Sequence, residues 1–247
     1  MSFTDDERQR YARHILLKEI GGPGQQRLKA ASVAIVGAGG LGAPAALYLA
    51  AAGVGRLRLI DDDTVSLDNL QRQIIFRDAV VGAPKVDRAR AALAALNDNV
   101  AVEIERQRLT EANAAYLLQG ADVVLDGTDD FETRFAVNAA ARSLGVPLVS
   151  GAVGRWDGQV SAFAHDGPCY RCFVPEAPPD AETCSRVGVV GALTGVIGSI
   201  MALEAIKLVA QAGEPLIGRV MLFDGLNGEA RTVALKRDPA CPVCANE

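Results

Sequence analysis

Aromatic residues are scarce: Phe, Tyr and Trp together make up 5% of the sequence, with a single Trp. The core must therefore be aliphatic and alanine-rich, which suits α/β layers and argues against a barrel girdled by aromatic rings. Dense runs of Lys or Arg are also missing, and 25 basic against 30 acidic residues leave a net charge of −5. A general nucleic-acid binder is thereby disfavoured, although a local basic pocket is not. The N-terminal stretch MSFTDDERQRYARHI lacks the basic start and apolar run of a secretory signal, so the expectation is a cytoplasmic protein. The longest uncharged run, Val187 to Leu203, is interrupted by Gly188, Gly191, Gly195 and Gly198 and followed by Glu204 and Lys207. Such a run predicts a buried, closely packed helix and no membrane span.

What is present is a chain of 247 residues, 49% hydrophobic, long enough to bury a sizeable core. Thr4 followed by Glu7 forms a capping box and predicts a first helix running to about Ile20, where Gly21-Gly22-Pro23-Gly24 breaks it. Residues 32–36 are apolar, bounded by Gly37, and predict a buried strand. From there strands at 56–60, 101–106, 122–126 and 147–150 alternate with helices at 41–52, 84–97, 111–119 and 131–144. This alternation predicts a mostly parallel sheet with helices on both faces. Past Gly151 the rhythm changes: strand-like stretches at 159–164, 219–223 and 230–235 share one helix, at about 191–211, and are expected to extend the sheet with antiparallel strands. A Pro-rich polar connection lies between Phe173 and Val190, a length usual for a functional loop. No composition break divides the chain, so one domain over 1–247 is expected, with a helical arm at 1–30.

Gly37-Ala-Gly39-Gly40-Leu-Gly42 directly follows the first buried strand and opens a helix. In that context a Gly-x-Gly-x-x-Gly loop lets backbone amides approach a phosphate at a helix N-terminus, and the fold becomes Rossmann-like. Asp61 ends the next strand, placed to accept hydrogen bonds from ribose hydroxyls. These two features are shared with nicotinamide dehydrogenases; the following segment is not. Asp63, Asp68, Asn69, Arg72 and Gln73, then Lys85, put carboxylates, amides, a guanidinium and an ammonium just past that strand. Fixed cations suit a polyphosphate that must lose pyrophosphate, whereas hydride transfer needs none. No Gly-x-x-x-x-Gly-Lys-Ser/Thr occurs, which excludes an ordinary P-loop. The strand at 122–126 runs out into Asp129 and Asp130, acids facing the same crevice and suited to share a magnesium ion with phosphate oxygens. Helix N-capping is the alternative use of these acids, stronger for Asp130.

Five cysteines complete the inventory. Cys169-x-x-Cys172 and Cys241-x-x-Cys244 have the spacing of two thiolate pairs filling one closed, tetrahedral structural zinc site that secures the chain end. His165 is a substitute ligand the site does not require. The fifth, Cys184, lies in the polar loop beside Arg186 and is a candidate reactive thiol, with a bystander thiol as the alternative.

Together these motifs, with Arg10-Tyr-Ala-Arg13, Ser66-Leu-Asp-Asn69-Leu-Gln-Arg72-Gln73, Gly82-x-Pro-Lys85 and Asp126-Gly-Thr-Asp129, resemble the HesA/MoeB/ThiF family over nearly the whole chain. That resemblance implies a homodimeric enzyme using ATP and magnesium to adenylate the C-terminal Gly-Gly carboxylate of a small ubiquitin-like sulfur-carrier protein. By it Arg13 reaches into the partner's nucleotide site, Asp61 holds the ribose, Asn69, Arg72 and Lys85 hold the phosphates, and Asp129 holds magnesium. Cys184 matches a crossover-loop cysteine that is covalently engaged in some relatives. The family commonly has Asp-Asn where this chain has Asp129-Asp130, a departure that adds charge near the phosphates. Molybdopterin synthesis is the favoured pathway and thiamine the alternative, with sulfur arriving from a separate donor. A nicotinamide oxidoreductase and a non-catalytic zinc-clamped docking protein are the readings from other classes.

Overall fold

The structure, a computed structural model, describes residues 3–178 and 188–245. Its centre is β1 (Ser32–Val36), whose alternating side chains feed two separate cores. Val33 and Ile35 point into one cluster with α4 (Gly42–Ala51), α5 (Lys85–Leu96) and a long helix, Gly191–Ala210. Ala34 and Val36 point the other way, against α6 (Ala114–Leu118) and α7 (Phe131–Ser143). The two-residue period of a strand thus makes both faces apolar, and helices cover each.

β1 pairs in parallel with β2 (Arg56–Ile60) on one side and β4 (Val123–Asp126) on the other. β3 (Ala101–Glu105) lies beyond β2, and β5 (Leu148–Gly154) beyond β4, both parallel. β6 (Asp157–Phe163), β7 (Arg219–Asp224) and β8 (Glu229–Ala234) then add in antiparallel fashion, giving the order β3-β2-β1-β4-β5-β6-β7-β8. The α/β class and the mixed sheet are as the sequence predicts. β5 runs past Gly151 to Gly154, longer than the 147–150 expected, because its second half is held by the hairpin to β6. Between them and the next long helix stands the short α8 (Tyr170–Phe173).

The predicted long first helix is not found. α1 (Asp5–Arg10) has the expected capping box at Thr4 and Glu7, but the chain breaks at Tyr11 into α2 (Ala12–Ile15), and 16–20 form turns. Tyr11 leaves helical geometry to bury its ring over Gly53, and its hydroxyl accepts from Asn97 Nδ2 at 2.9 Å. Nor do the Gly-Pro residues separate two helices: they are the first turn of α3 (Gly21–Ala30), where the missing amide of Pro23 costs nothing.

The last helix, α9 (Gly191–Ala210), is long and apolar enough to cross a membrane by composition. In the fold its Leu193, Ile197, Met201 and Ala205 are core residues, and an added Cβ on Gly198 would lie 2.5 Å from Leu41 O and Pro44 Cγ of the neighbouring segment. One face is closely packed as the glycine spacing predicts, while the other, with Val196 and Leu203, is exposed.

Candidate active site and cysteine cluster

The sheet order reverses direction at β1: successive crossovers go outward to β2 and β3, while β4 and β5 lie on the opposite side. Such a switch point opens a crevice beyond the strand ends. A cavity of about 420 Å³ occupies it, lined by Gly37, Gly39 and Gly40, by the residues after β2, and by those after β4.

Gly37 has φ +86°, a conformation that only glycine adopts without strain, and its amide donates to Ile60 O at 2.9 Å. Gly42 lies outside the lining and is needed for packing: a Cβ there would sit 1.8 Å from Gly37 O. Gly39 faces the Gln73 amide, 3.6 Å from where its Cβ would be, and Gly40 faces Thr194. The loop therefore forms a bare backbone cradle at the start of α4.

Asp61 hangs over this cradle. Its Oδ2 accepts from Ala38 N at 2.7 Å and its Oδ1 from Asp63 N at 2.9 Å. Burial pushes its pKa above the usual carboxylate range, opposed by the Lys85 ammonium and those two amides. Lys85 opens α5 and is 5% exposed, its Nζ 2.8 Å from Asp63 Oδ2, while Lys85 N donates to Asp63 O at 2.9 Å. Asp63 is itself largely exposed, so this buried cation faces the cavity across a carboxylate that an incoming anion can replace.

Asn69, Arg72 and Gln73 come from the turn after β2 and all line the cavity. Asn69 O accepts from the amides of Arg72 and Gln73, which bundles the three side chains into one short turn. Gln73 is buried, and its Oε1 has no hydrogen-bond partner among the described residues, leaving an acceptor free for a ligand. Asp68 is exposed and outside the lining; the Ser66 hydroxyl donates to it and lowers its pKa. It acts on the site through its backbone, Asp68 O accepting from Arg72 Nη1 at 3.0 Å.

Asp129 is exposed to the cavity from the end of β4. Asp130 caps α7, its Oδ1 accepting from Thr133 N at 2.8 Å, while its Oδ2 pairs with Arg108 Nη2 at 3.1 Å. The extra charge at this position is thus taken up by a helix N-terminus and a guanidinium. Arg108 carries no sequence signal, because its partner lies on another element. Arg134 was also missed, although its position one helical turn after Asp130 places it on the same face of α7. It is buried, donates to Gly151 O at 2.9 Å and Ser150 Oγ at 3.3 Å, and lies 3.6 Å from Asp126 Oδ2.

Arg13 is exposed on α2 and does not reach this cavity within its own chain. Cys184 lies outside the described residues. The two ends of the connection at 173–190 meet the site, since Val174, Pro178 and Val189 all line it.

The four remaining cysteines come together. Cys169, Cys172, Cys241 and Cys244 place all their sulfurs within 4.8 Å of one another, with Cys169 to Cys241 at 3.5 Å and Cys172 to Cys244 at 3.4 Å. A zinc ion with Zn–S of about 2.3 Å has tetrahedral edges of about 3.8 Å, so the donor set fits. His165 is not part of the cluster. Burial pushes the Cys169 thiol up to about 12; at Cys241 burial is outweighed by the amides of Val243 and Cys244, and the thiol falls to about 7.

Sheet order, glycine cradle and flanking cations define an α/β protein whose crevice is built for an anionic ligand, braced by a four-cysteine cluster. The chain belongs to the ThiF family, whose model matches residues 11–243. A sulfur carrier protein adenylyltransferase of Thermus thermophilus is 46% identical over 255 residues, covering 100% of this chain and 94% of that protein. A molybdopterin-synthase adenylyltransferase of Escherichia coli K12 is 46% identical over 243 residues, covering 98% of both. The crystal structure of E. coli MccB with MccA-N7isoASN has the same fold, with a TM-score of 0.86 at 22% identity over 97% of this chain and 75% of that one.

Proposed function

We propose that this chain is an adenylyltransferase that uses ATP to activate the C-terminal carboxylate of a small sulfur-carrier protein. The observation that carries the reading is the cavity itself. A glycine cradle, a buried lysine, an arginine and an exposed carboxylate converge on it from the ends of different strands, in a ThiF-family chain similar to named sulfur-carrier adenylyltransferases. Hydride transfer would have no use for Arg72 and Lys85, and so is the poorer account.

In this reading Asp61 accepts from the ribose hydroxyls and the loop amides approach the phosphates. Lys85, Arg72, Asn69 and Gln73 hold the triphosphate, Lys85 exchanging Asp63 for a phosphate oxygen. The residues fit a magnesium ion at Asp129, which when bound would neutralise phosphate charge. The carrier carboxylate is ionised at neutral pH and attacks the α-phosphate in line, breaking the bond to pyrophosphate. No general base is needed, so positioning and fixed positive charge carry the rate. Arg13 then serves the nucleotide site of the second subunit in a homodimer. The cysteine cluster holds a structural zinc, and Cys184, which lies outside the described residues, takes the crossover-loop role of the family, its thiol displacing AMP from the acyl adenylate to form a thioester with the carrier. The chain works as one adenylating domain in the cytoplasm, with sulfur from a separate donor and molybdopterin synthesis as its pathway.

The test is exchange of labelled pyrophosphate into ATP against a panel of Gly-Gly-tailed carriers, with Asp129→Ala as control. Exchange with one carrier, lost in the variant, is expected and would identify the pathway. ATP binding without exchange for any carrier would leave the docking-protein reading in its place.

A further inference from the structure

Tyr170 connects the cysteine cluster to the nucleotide cavity. It lies between Cys169 and Cys172 in sequence, is 3% exposed, and lines the cavity. Its amide donates to Asn138 Oδ1 at 2.8 Å, and Cys172 N donates to Cys169 O at 2.9 Å, so the ring sits on a backbone knuckle with no hinge of its own. Phe163 packs edge-on against the ring with centroids 5.9 Å apart, and Phe135 and Phe173 flank it at 6.1 and 6.4 Å.

On the cavity side the ring meets Arg134, whose guanidinium carbon is 6.0 Å from the ring centroid. Arg134 in turn donates to Thr128 O as well as to Gly151 and Ser150, and pairs with Asp126. Asp126 accepts from Thr128 N at 3.1 Å and Thr128 Oγ1 at 2.6 Å. Both buried charges therefore tie Thr128 to β5, through Ser150 and, for Arg134, Gly151, and the residue after Thr128 is Asp129. A buried ion pair with its donors this fully committed adopts few alternative arrangements, so a shift of the ring that supports it is passed on and not absorbed.

We propose that Tyr170 is a positioning residue through which the metal-loaded cysteine cluster sets nucleotide affinity, acting by way of Arg134 on the Thr128–Asp129 turn. The proposal rests on the reading of the cavity as an ATP site. The cluster then does more than secure the chain end: its state is felt in the crevice.

The experiment titrates a non-hydrolysable ATP analogue with magnesium into the zinc-loaded full chain by calorimetry. Tyr170→Phe, Tyr170→Leu and, as a surface control, Tyr116→Ala are treated alike, each before and after zinc extraction with a chelator, and thermal melts check folding. Tyr170→Leu is expected to weaken binding about fivefold and Tyr116→Ala to stay within about twofold of the parent, with Tyr170→Phe, which keeps the ring but loses the hydroxyl's hydrogen bond to Arg134, falling between them. Extraction should weaken the parent by a similar factor and add little to Tyr170→Leu, because the coupling runs through the ring already removed. A Tyr170→Leu chain that binds like the parent overturns the proposal, as does extraction that weakens both equally. If Tyr170→Leu does not fold, Arg134→Lys takes its place: it keeps the charge, loses the fork, and is judged by the same two results. If extraction unfolds the chain, Cys244→Ser in the parent and in Tyr170→Leu replaces extraction and is judged by the same two results. A parent chain that binds no analogue overturns the ATP reading itself.

Discussion

Asp61 is held in two ways that oppose each other. Two backbone amides favour its ionised form, while burial, the larger influence, raises its pKa above the usual 3.8. The folded chain therefore takes up this proton before the unfolded chain does. The stability penalty of ionising it is fully present above the raised pKa and vanishes below 3.8. If Asp61 accepts from the ribose hydroxyls as proposed, it does so best when ionised, so affinity for an ATP analogue should fall on acidification while an ordinary Asp would still be charged. Asp61→Asn should bind more weakly at neutral pH and show no such limb. Calorimetry at graded pH checks this, and undiminished parent affinity down to the usual Asp range would contradict it. Asp130 makes the opposite case. Asn can keep the cap on Thr133 and lose only an ion pair whose arginine is 56% exposed, so Asp130→Asn should change stability by less than about 1 kcal/mol. Asp130→Ala also loses the cap and should cost about 1 kcal/mol more, read from denaturant midpoints. The sequence identifies Asp130 as a candidate cap because capping is local. Its pairing with Arg108 is not legible, since that contact depends on how two loops from separate strands meet.

The regular elements were readable where one local pattern dominated. The strand at 32–36, its neighbours and the apolar helix at 191–210 announce themselves by apolar runs and glycine spacing, and the alternation of strands and helices then supplies the parallel half of the sheet. The first helix is shorter than its capping box predicts because Tyr11 answers to a distant partner, Asn97, and Gly21-Gly22-Pro23-Gly24, a break by sequence pattern, open a helix instead. On α9 the glycines have unequal duties, although the sequence presents them as a single series. Gly198 is in close approach to the Leu41 carbonyl and Pro44, whereas nothing lies within 4 Å of a Cβ added to Gly195. Gly198→Ala should force the helix away from α4 at a cost of about 1–3 kcal/mol. Gly195→Ala should instead gain about 0.5–1 kcal/mol from lost unfolded-state freedom. Thermal melts of the two variants should move in opposite directions, and equal shifts would show that α9 is not packed as described.

The cysteine cluster is a contact between remote parts of the chain, yet it was plain in the sequence because its chemistry repeats a recognisable spacing. It joins α8, beside the nucleotide cavity, to the segment after β8, whose residues 235–245 form no further strand or helix. Among the described residues the exposed β8 pairs with β7 alone, and past Leu235, which packs on the second core, the cluster returns the terminal segment to the body of the protein. Cross-linking Cys172 to Cys241 closes a loop of about 70 residues, which by chain entropy alone is worth about 4 kcal/mol when the link is rigid. For a chain of this size each kcal/mol moves the melting temperature by about 2–4 °C, so extracting the zinc proposed for this cluster should lower it by about 8–16 °C. Cys241→Ser should do nearly the same, and extraction should add little to it. Limited proteolysis ought then to cut first within 235–245, before the parallel half of the sheet is touched. A melting temperature unmoved by a chelator that demonstrably removes the zinc would mean that the thiols hold this segment by packing alone, with the metal a passenger.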